Sequence, residues 1–280
     1  MKTIIIKIFK IFGTLLIVLY VVICAVYYFN QENYFFNPSK LTKDYTFDIK
    51  EDFEEINFKT EDGLILNSLL FKADSSKGLV IYFHGNGGDI SHFTSFASIY
   101  TELGYDYFML DYRGFGKSEG SIVSENQLYE DNQMVYNQLK KSYAEENIIV
   151  IGYSMGATMA SQLASNNSPK MLILKAPAYN LDDGVQQAVN RGDSFNLGQI
   201  LPLSLLSKYD FNNYEFIQNC VMPVTIFHGT SDKVVNHSSS IKLKEHFKSE
   251  DRLIIDEGED HETIVSSDVY KNELKKILSE

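Results

Sequence analysis

Cysteine is scarce in this chain, and what there is cannot staple it. The two residues, Cys24 and Cys220, make no disulfide framework, and Cys24 is enclosed in an apolar run far from the late strand that follows Cys220. The CxxC and Cys/His spacings of a zinc site are absent, so no metal is expected. Positive charge is short as well. The formal net charge is −12, and the first thirty residues carry Lys2, Lys7 and Lys10 with no acidic residue, so the remainder is more acidic still. Such a surface repels nucleic-acid backbones and anionic headgroups, and no nucleic-acid partner is expected. Internal repeats and low-complexity tracts are missing too, which excludes solenoid and fibrous classes.

What remains is 280 residues, 44% hydrophobic, enough for one full catalytic domain with a large core. The chain begins with a different kind of segment. Residues 11–29 (IFGTLLIVLYVVICAVYYF) run nineteen positions without a charge, long enough to cross a hydrocarbon core of about 30 Å as a helix. Lysines flank it on one side, and Tyr27, Tyr28 and Phe29 offer an interfacial belt on the other. Residues 1–30 are therefore expected to be a transmembrane signal anchor with the domain outside the cytoplasm. The alternatives are a cleaved signal peptide, for which Ile23 and Ala25 make a poor cleavage site, a lipoprotein modified at Cys24, and a buried helix. Residues 31–52 then read as a short linker, and 53–280 as the domain.

From Phe53 onward, short apolar runs alternate with amphipathic stretches. Strands are expected at 54–59, 64–71, 79–84, 106–111, 147–152, 171–175, 223–228 and 252–256, and helices at 91–103, 125–143, 155–165, 238–248 and 262–278. The first two strands, joined through Glu61-Asp62-Gly63, read as an antiparallel hairpin. The later ones are near-continuous apolar runs separated by helices, the pattern of a parallel sheet covered on both faces. One interval breaks the rhythm. Residues 176–217, with scattered glycines and Pro202, are too long for one crossover helix and are expected to form a small helical lid.

The chemistry-bearing residues follow from this frame. Gly152-Tyr153-Ser154-Met155-Gly156 fits G-x-S-x-G, follows the strand IIVIG directly and opens a helix, which is the context of a nucleophile elbow. His84-Gly85-Asn86-Gly87-Gly88 follows the strand LVIYF and matches a glycine-rich oxyanion loop, so the backbone N–H groups of Asn86 and Met155 are the expected donors. His84 itself reads as structural. Its spacing to Asp89 also matches the H-x-x-x-x-D of glycerolipid acyltransferases, but its place in a glycine loop contradicts that reading. Serine needs a base held by an acid. Asp232, in HGTSD after the strand PVTIF, and His261, after the strand RLIID, supply them in the chain order serine, acid, histidine. Asp260 adjoins His261, and adjacent residues of an extended loop point apart. Asp111 precedes the serine, and either it or Arg113 is expected to pin the glycine-rich loop 111–120.

With HGNGG (84–88), DYRGFGKSEG (111–120), GYSMG (152–156), HGTSD (228–232) and His261 in place, the chain resembles the membrane-anchored α/β-hydrolase-domain proteins. That group is allied to the serine aminopeptidase and monoacylglycerol-lipase-like hydrolases. The resemblance spans nearly all of 53–280 and implies a cofactor-free hydrolase of esters, thioesters or amides, with Ser154, Asp232 and His261 as its triad. Ala157 departs from the pattern, standing where many relatives have a second glycine.

The expected substrate is an acyl ester or thioester, most naturally an acyl lipid. The anchor and an apolar lid (Ile200, Leu201, Leu203, Leu205, Leu206) favour it. On this reading a form beginning near Phe36 would cleave soluble short-chain esters much as the full chain does, and only the anchored form would act efficiently on long-chain acyl lipids in a bilayer. The alternatives are a serine aminopeptidase, for which Asp182, Asp183, Asp193 and Asp210 could face a substrate amine, and a silent hydrolase fold used for binding.

Overall fold

The computed structural model describes residues 2–191 and 201–279. Eight strands form one sheet: β1 (Phe53–Lys59), β2 (Ile65–Phe71), β3 (Gly78–Phe83), β4 (Tyr105–Leu110), β5 (Ile148–Tyr153), β6 (Met171–Lys175), β7 (Val224–Gly229) and β8 (Arg252–Asp256). Their spatial order is β1-β2-β4-β3-β5-β6-β7-β8. β1 and β2 form the expected hairpin, with Phe53 opposite Phe71, and β2 runs antiparallel to β4. Every other neighbouring pair is parallel. This is the α/β-hydrolase fold. Its order reverses at β3, from which the chain goes to β4 on one side and then to β5 on the other. That reversal opens a crevice at the carboxyl ends of β3 and β5.

The sheet works because alternate side chains enter two separate cores. Leu79, Ile81 and Phe83 of β3 pack with Leu128, Val135, Met159, Leu163 and Ile217 on one face. These come from α4 (Glu125–Leu139), α5 (Met155–Ser165) and α8 (Asn213–Asn219). Val80 and Tyr82 enter the other face with Ala97, Tyr100, Tyr270 and Leu274, from α3 (Ala97–Thr101) and α10 (Asp268–Ser279). Burying each such aliphatic side chain is worth about 1.5–3 kcal/mol, so both faces of the central strands must be apolar.

Two regions lie outside this frame. α1 (Lys2–Phe29) is long and apolar enough to cross a membrane, with a mean hydropathy of 2.5 and none of its most apolar window buried. It is followed by α2 (Gln31–Phe35) and by a segment that does not hang free. Residues 37–38 pair in parallel with 87–88, and Leu41 donates to the Gly116 carbonyl at 2.9 Å. The segment read as a linker is thus laid against the domain, through main-chain bonds that no side-chain pattern encodes. The lid region contributes α6 (Leu181–Arg191) and α7 (Leu203–Leu206). Residues 192–200, with Asp193 and Ile200, lie outside the described residues. α9 (Ser238–Leu243) completes the set used below.

Candidate active site

β5 delivers the chain to Ser154, whose backbone sits at φ 53°, ψ −120° before α5 begins at Met155. Positive φ is costly for a residue with a side chain and persists only where the surroundings enforce it. The enforcement is visible. The Ser154 N–H donates to the Lys175 carbonyl at the end of β6, 2.9 Å away. A Cβ at Gly152 would lie 2.4 Å from the Gly156 carbonyl oxygen, and one at Gly156 would lie 2.1 Å from the Phe83 carbonyl oxygen. Both glycines are therefore required for α5 to pack against β5 and β3, and this close packing presents the hydroxyl at the crevice.

Two loops at the same sheet edge bring the partners. His261 Nε2 lies 3.0 Å from Ser154 Oγ, and His261 Nδ1 lies 2.7 Å from Asp232 Oδ2. The other carboxylate oxygen of Asp232 accepts from the amides of Val234 and Val235, each at 2.8 Å. Burial alone would favour the neutral acid. Donors from His228 and His261 and the Val235 amide overcome that and hold Asp232 well below the usual carboxylate range. An ionised carboxylate only accepts, so Nδ1 of His261 carries the ring proton and Nε2 is left to accept from the serine hydroxyl. The Tyr153 hydroxyl donates to the His261 carbonyl at 3.0 Å, fixing the histidine loop from below. Asp260 is turned elsewhere, its Oδ1 accepting from the amides of Glu262 and Thr263 at 2.9 Å. His246 is also remote, bonded to Tyr179 and Gln218.

Residues 74–214, half of the chain, match the serine aminopeptidase S33 hydrolase family. The chain belongs to that family. The matched stretch carries the glycine loop and the elbow and ends before Asp232 and His261. Among individual proteins, the chain is 28% identical over 225 residues to the uncharacterized protein R595 of Acanthamoeba polyphaga mimivirus, covering 75% of this chain and 73% of that one. It is 28% identical over 230 residues to alpha/beta hydrolase domain-containing protein 17C of Xenopus tropicalis, covering 81% and 70%. In fold it is similar to the Pyrococcus furiosus esterase Pf2001, with a TM-score of 0.67 at 22% identity over 87% of this chain and 97% of that one.

In this S33-family chain the glycine loop lies directly over the elbow. A Cβ at Gly85 would stand 3.5 Å from Ser154 Cβ. Met155 is the first residue of α5, where an N–H has no intrahelical acceptor. The Asn86 N–H donates to no backbone carbonyl among the described residues, while the Asn86 carbonyl is taken by Asn37. Both expected donors are thus beside the serine and uncommitted.

His84 is fully buried, with Nδ1 2.8 Å from the Gly85 carbonyl and its ring against Tyr112, 4.4 Å between centroids. Its Nε2 faces Asp111 Oδ1 at 3.6 Å. Burial lowers His84 to about 4. Burial, with the Asp89 carboxylate nearby, raises Asp111 far above its ordinary value. This pair supports the loop from inside the core. Asp89 accepts from the Ser91 amide at 2.9 Å. Asp111 Oδ1 accepts from the Ile90 amide at 3.0 Å and Arg113 is gripped by Asp62 and Asp131, so both residues tie the 111–120 loop to the rest of the domain. Among the described residues no three His, Cys, Asp or Glu side chains converge as a metal site would require.

Two neighbours escaped the sequence reading. Lys175 is wholly buried, its ammonium 4.5 Å from the Tyr82 ring centroid and 4.7 Å from that of Tyr270, and burial drives its pKa well down. A lysine ending a strand carries no signal of burial. His228, near the end of β7, lies behind Asp232, its Nε2 3.3 Å from Oδ2.

Proposed function

We propose that this chain is a membrane-anchored serine esterase that cleaves carboxylic esters or thioesters, with acyl lipids as its substrates, through an acyl-enzyme. The continuous relay Ser154–His261–Asp232 at 3.0 and 2.7 Å carries the reading. Ser154 Oγ attacks the acyl carbonyl carbon while His261 Nε2 takes the hydroxyl proton, and Asp232 steadies the imidazolium. The oxyanion that forms is received by the N–H groups of Asn86 and Met155. Collapse expels the alcohol or thiol, which takes the proton from His261. Water then hydrolyses the acyl-enzyme by the same route.

The substrate class draws support from α1, whose length and apolarity suit a single span. Its flanking lysines favour a domain outside the cytoplasm. A tethered domain meets membrane-derived acyl compounds at high local concentration. The family's name keeps an aminopeptidase as the second reading. Such an enzyme needs a free carboxylate for the substrate amine, and Asp183 is already engaged by Lys242, Ser239 and Gln187, leaving Asp182 and Asp210 exposed.

The test is fluorophosphonate labelling of the full chain in detergent, beside Ser154→Ala. Labelling and ester hydrolysis are expected to vanish together, turnover falling by about 10⁶. Labelling that persists in a folded Ser154→Ala protein refutes the assignment. Unlabelled parent protein points to a silent fold, and release of N-terminal residues from peptides without ester cleavage replaces the lipid reading by the aminopeptidase one.

A further inference from the structure

The glycine loop that carries the Asn86 amide has glycine at 85, 87 and 88, so its own backbone does little to fix its orientation. The fixing comes from residues 31–39. The Asn86 side-chain amide donates to the Phe35 carbonyl. The Asn37 N–H donates to the Asn86 carbonyl at 3.1 Å, and the Ser39 N–H to the Gly88 carbonyl at 2.8 Å. One end of this strap is locked to the base of the lid. Gln31 is fully buried, donating to the Leu206 carbonyl at 2.7 Å and accepting from the Lys208 amide at 3.0 Å. Beside it Glu32 accepts from Lys208 Nζ at 3.1 Å and from the Tyr209 hydroxyl at 3.0 Å. Phe35 and Phe36 both meet the Tyr209 ring edge-on.

We infer that residues 31–39 are a positioning element for acyl transfer, with Asn37 and Ser39 as positioning residues. By holding the carbonyl and side chain of Asn86, the strap fixes that residue about its Cα and so limits rotation of the Gly85–Asn86 peptide whose N–H faces the developing oxyanion. It also ties that donor to the lid base and to the end of α1. This inference rests on reading the Asn86 N–H as an oxyanion donor. Preorganisation of such a donor is worth most when it costs no movement at the moment of reaction, and a strap of main-chain bonds supplies that rigidity without entering the reaction.

Asn37→Pro in the full chain tests it, since proline deletes the N–H that holds Asn86, together with the Asn37 carboxamide. Phe36 is already extended, with ψ 135°, as a residue before proline must be. Ser39→Pro asks the same question two residues on, should the first variant fail to fold. Each is compared with the parent in detergent micelles on a soluble short-chain p-nitrophenyl ester and on its thionoester, whose sulfur is a poor hydrogen-bond acceptor. Active sites are titrated with a fluorophosphonate, and Tm is recorded. The expected result is a fall of roughly 10- to 100-fold in kcat per titrated site, below the 10²–10³ of deleting a donor outright. KM should hardly change, and the parent's preference for ester over thionoester should shrink. Parental kcat per titrated site in either folded variant overturns the inference, even if Tm falls, because the strap is then structural only. A parent that does not prefer ester to thionoester overturns the oxyanion reading beneath it, while a strong preference that survives Asn37→Pro and Ser39→Pro overturns the strap alone.

Discussion

His228 Nε2 lies 3.3 Å from Asp232 Oδ2, the same oxygen that His261 Nδ1 approaches from the other side. The same nitrogen is 2.9 Å from the Val235 carbonyl, which can only accept, so Nε2 carries a proton. The Ser240 hydroxyl meets the other ring nitrogen at 2.6 Å. His228 therefore joins β7 to α9 and to the loop that bears the acid. Asp232 is positioned by its own loop and by His228, independently of His261.

Because the amides of Val234 and Val235 can hold an amide oxygen as they hold the carboxylate, Asp232→Asn should leave the fold and substrate binding intact. Turnover should fall by about 10⁴, since the amide favours the wrong imidazole tautomer. Steady-state kinetics on a short-chain ester, with near-ultraviolet circular dichroism as the fold check, measure this. Asp260→Asn removes only a turn cap and should leave turnover within a few-fold, so a crippled Asp260→Asn enzyme identifies Asp260 as the acid instead.

The buried pair under the glycine loop makes a pH prediction. His84 is depressed to about 4 from 6.5, and Asp111 is raised well above 3.8. The depressed histidine contributes stability that is fully present above about pH 6.5 and is lost as pH falls through its folded value near 4. The raised carboxyl contributes with the opposite sign: its stability is fully present below about pH 3.8 and is lost as pH rises through its folded value. On the alkaline side of the histidine window only the Asp111 contribution still changes, and it falls as pH rises. Asp111→Asn, a neutral replacement, should abolish the decline without a 10⁴-fold loss of turnover of the kind expected at Asp232. Urea midpoints compared at about pH 6 and about pH 8.5 read it out, and an undiminished decline in Asp111→Asn refutes it.

The N-terminal segment makes two further expectations. Replacing Lys2, Lys7 and Lys10 by Glu should weaken or invert the orientation of the chain, as a cysteine-accessibility scan past Asn30 would report. A form beginning near Phe36 loses Gln31, Glu32 and Phe35, and with them the clamp on the lid base and the acceptor for Asn86. It should therefore be slower than the full chain even on soluble esters, contrary to what a free linker would allow. Equal rates for the two forms would show that residues 31–35 are dispensable to the frame held by Asn37 and Ser39.

Strands and elbow were legible in the sequence because their causes are local. All eight expected strands appear within a residue or so, since buried parallel strands must be apolar throughout. Gly152 and Gly156 announce the elbow because no side chain fits there. The strap was illegible for the opposite reason: its bonds join backbone groups of residues 37 and 39 to 86 and 88, and backbone groups are the same in every sequence. Lys175 was hidden because its cage of Tyr82, Phe96 and Tyr270 is assembled from three distant segments. The helices near 91–103 and 262–278 were anticipated as single elements, whereas each opens with a 3-10 turn, at Ile90–Phe96 and Thr263–Ser266.

The strap also sets an order of events during synthesis. Residues 31–39 leave the ribosome early, on the heels of the apolar helix, yet their partners come late. Phe35 waits 51 residues for Asn86, and Gln31 waits 175 for Leu206. Ser154 in turn waits 107 residues for His261. Domains fold as units once their chain is available, so on the membrane-anchored reading proposed above the apolar helix would hold one end of the frame in place while the rest is made. The pairing of Ser154 then closes only after His261 has been made, and a product truncated before it would carry the apolar helix and the elbow without that partner.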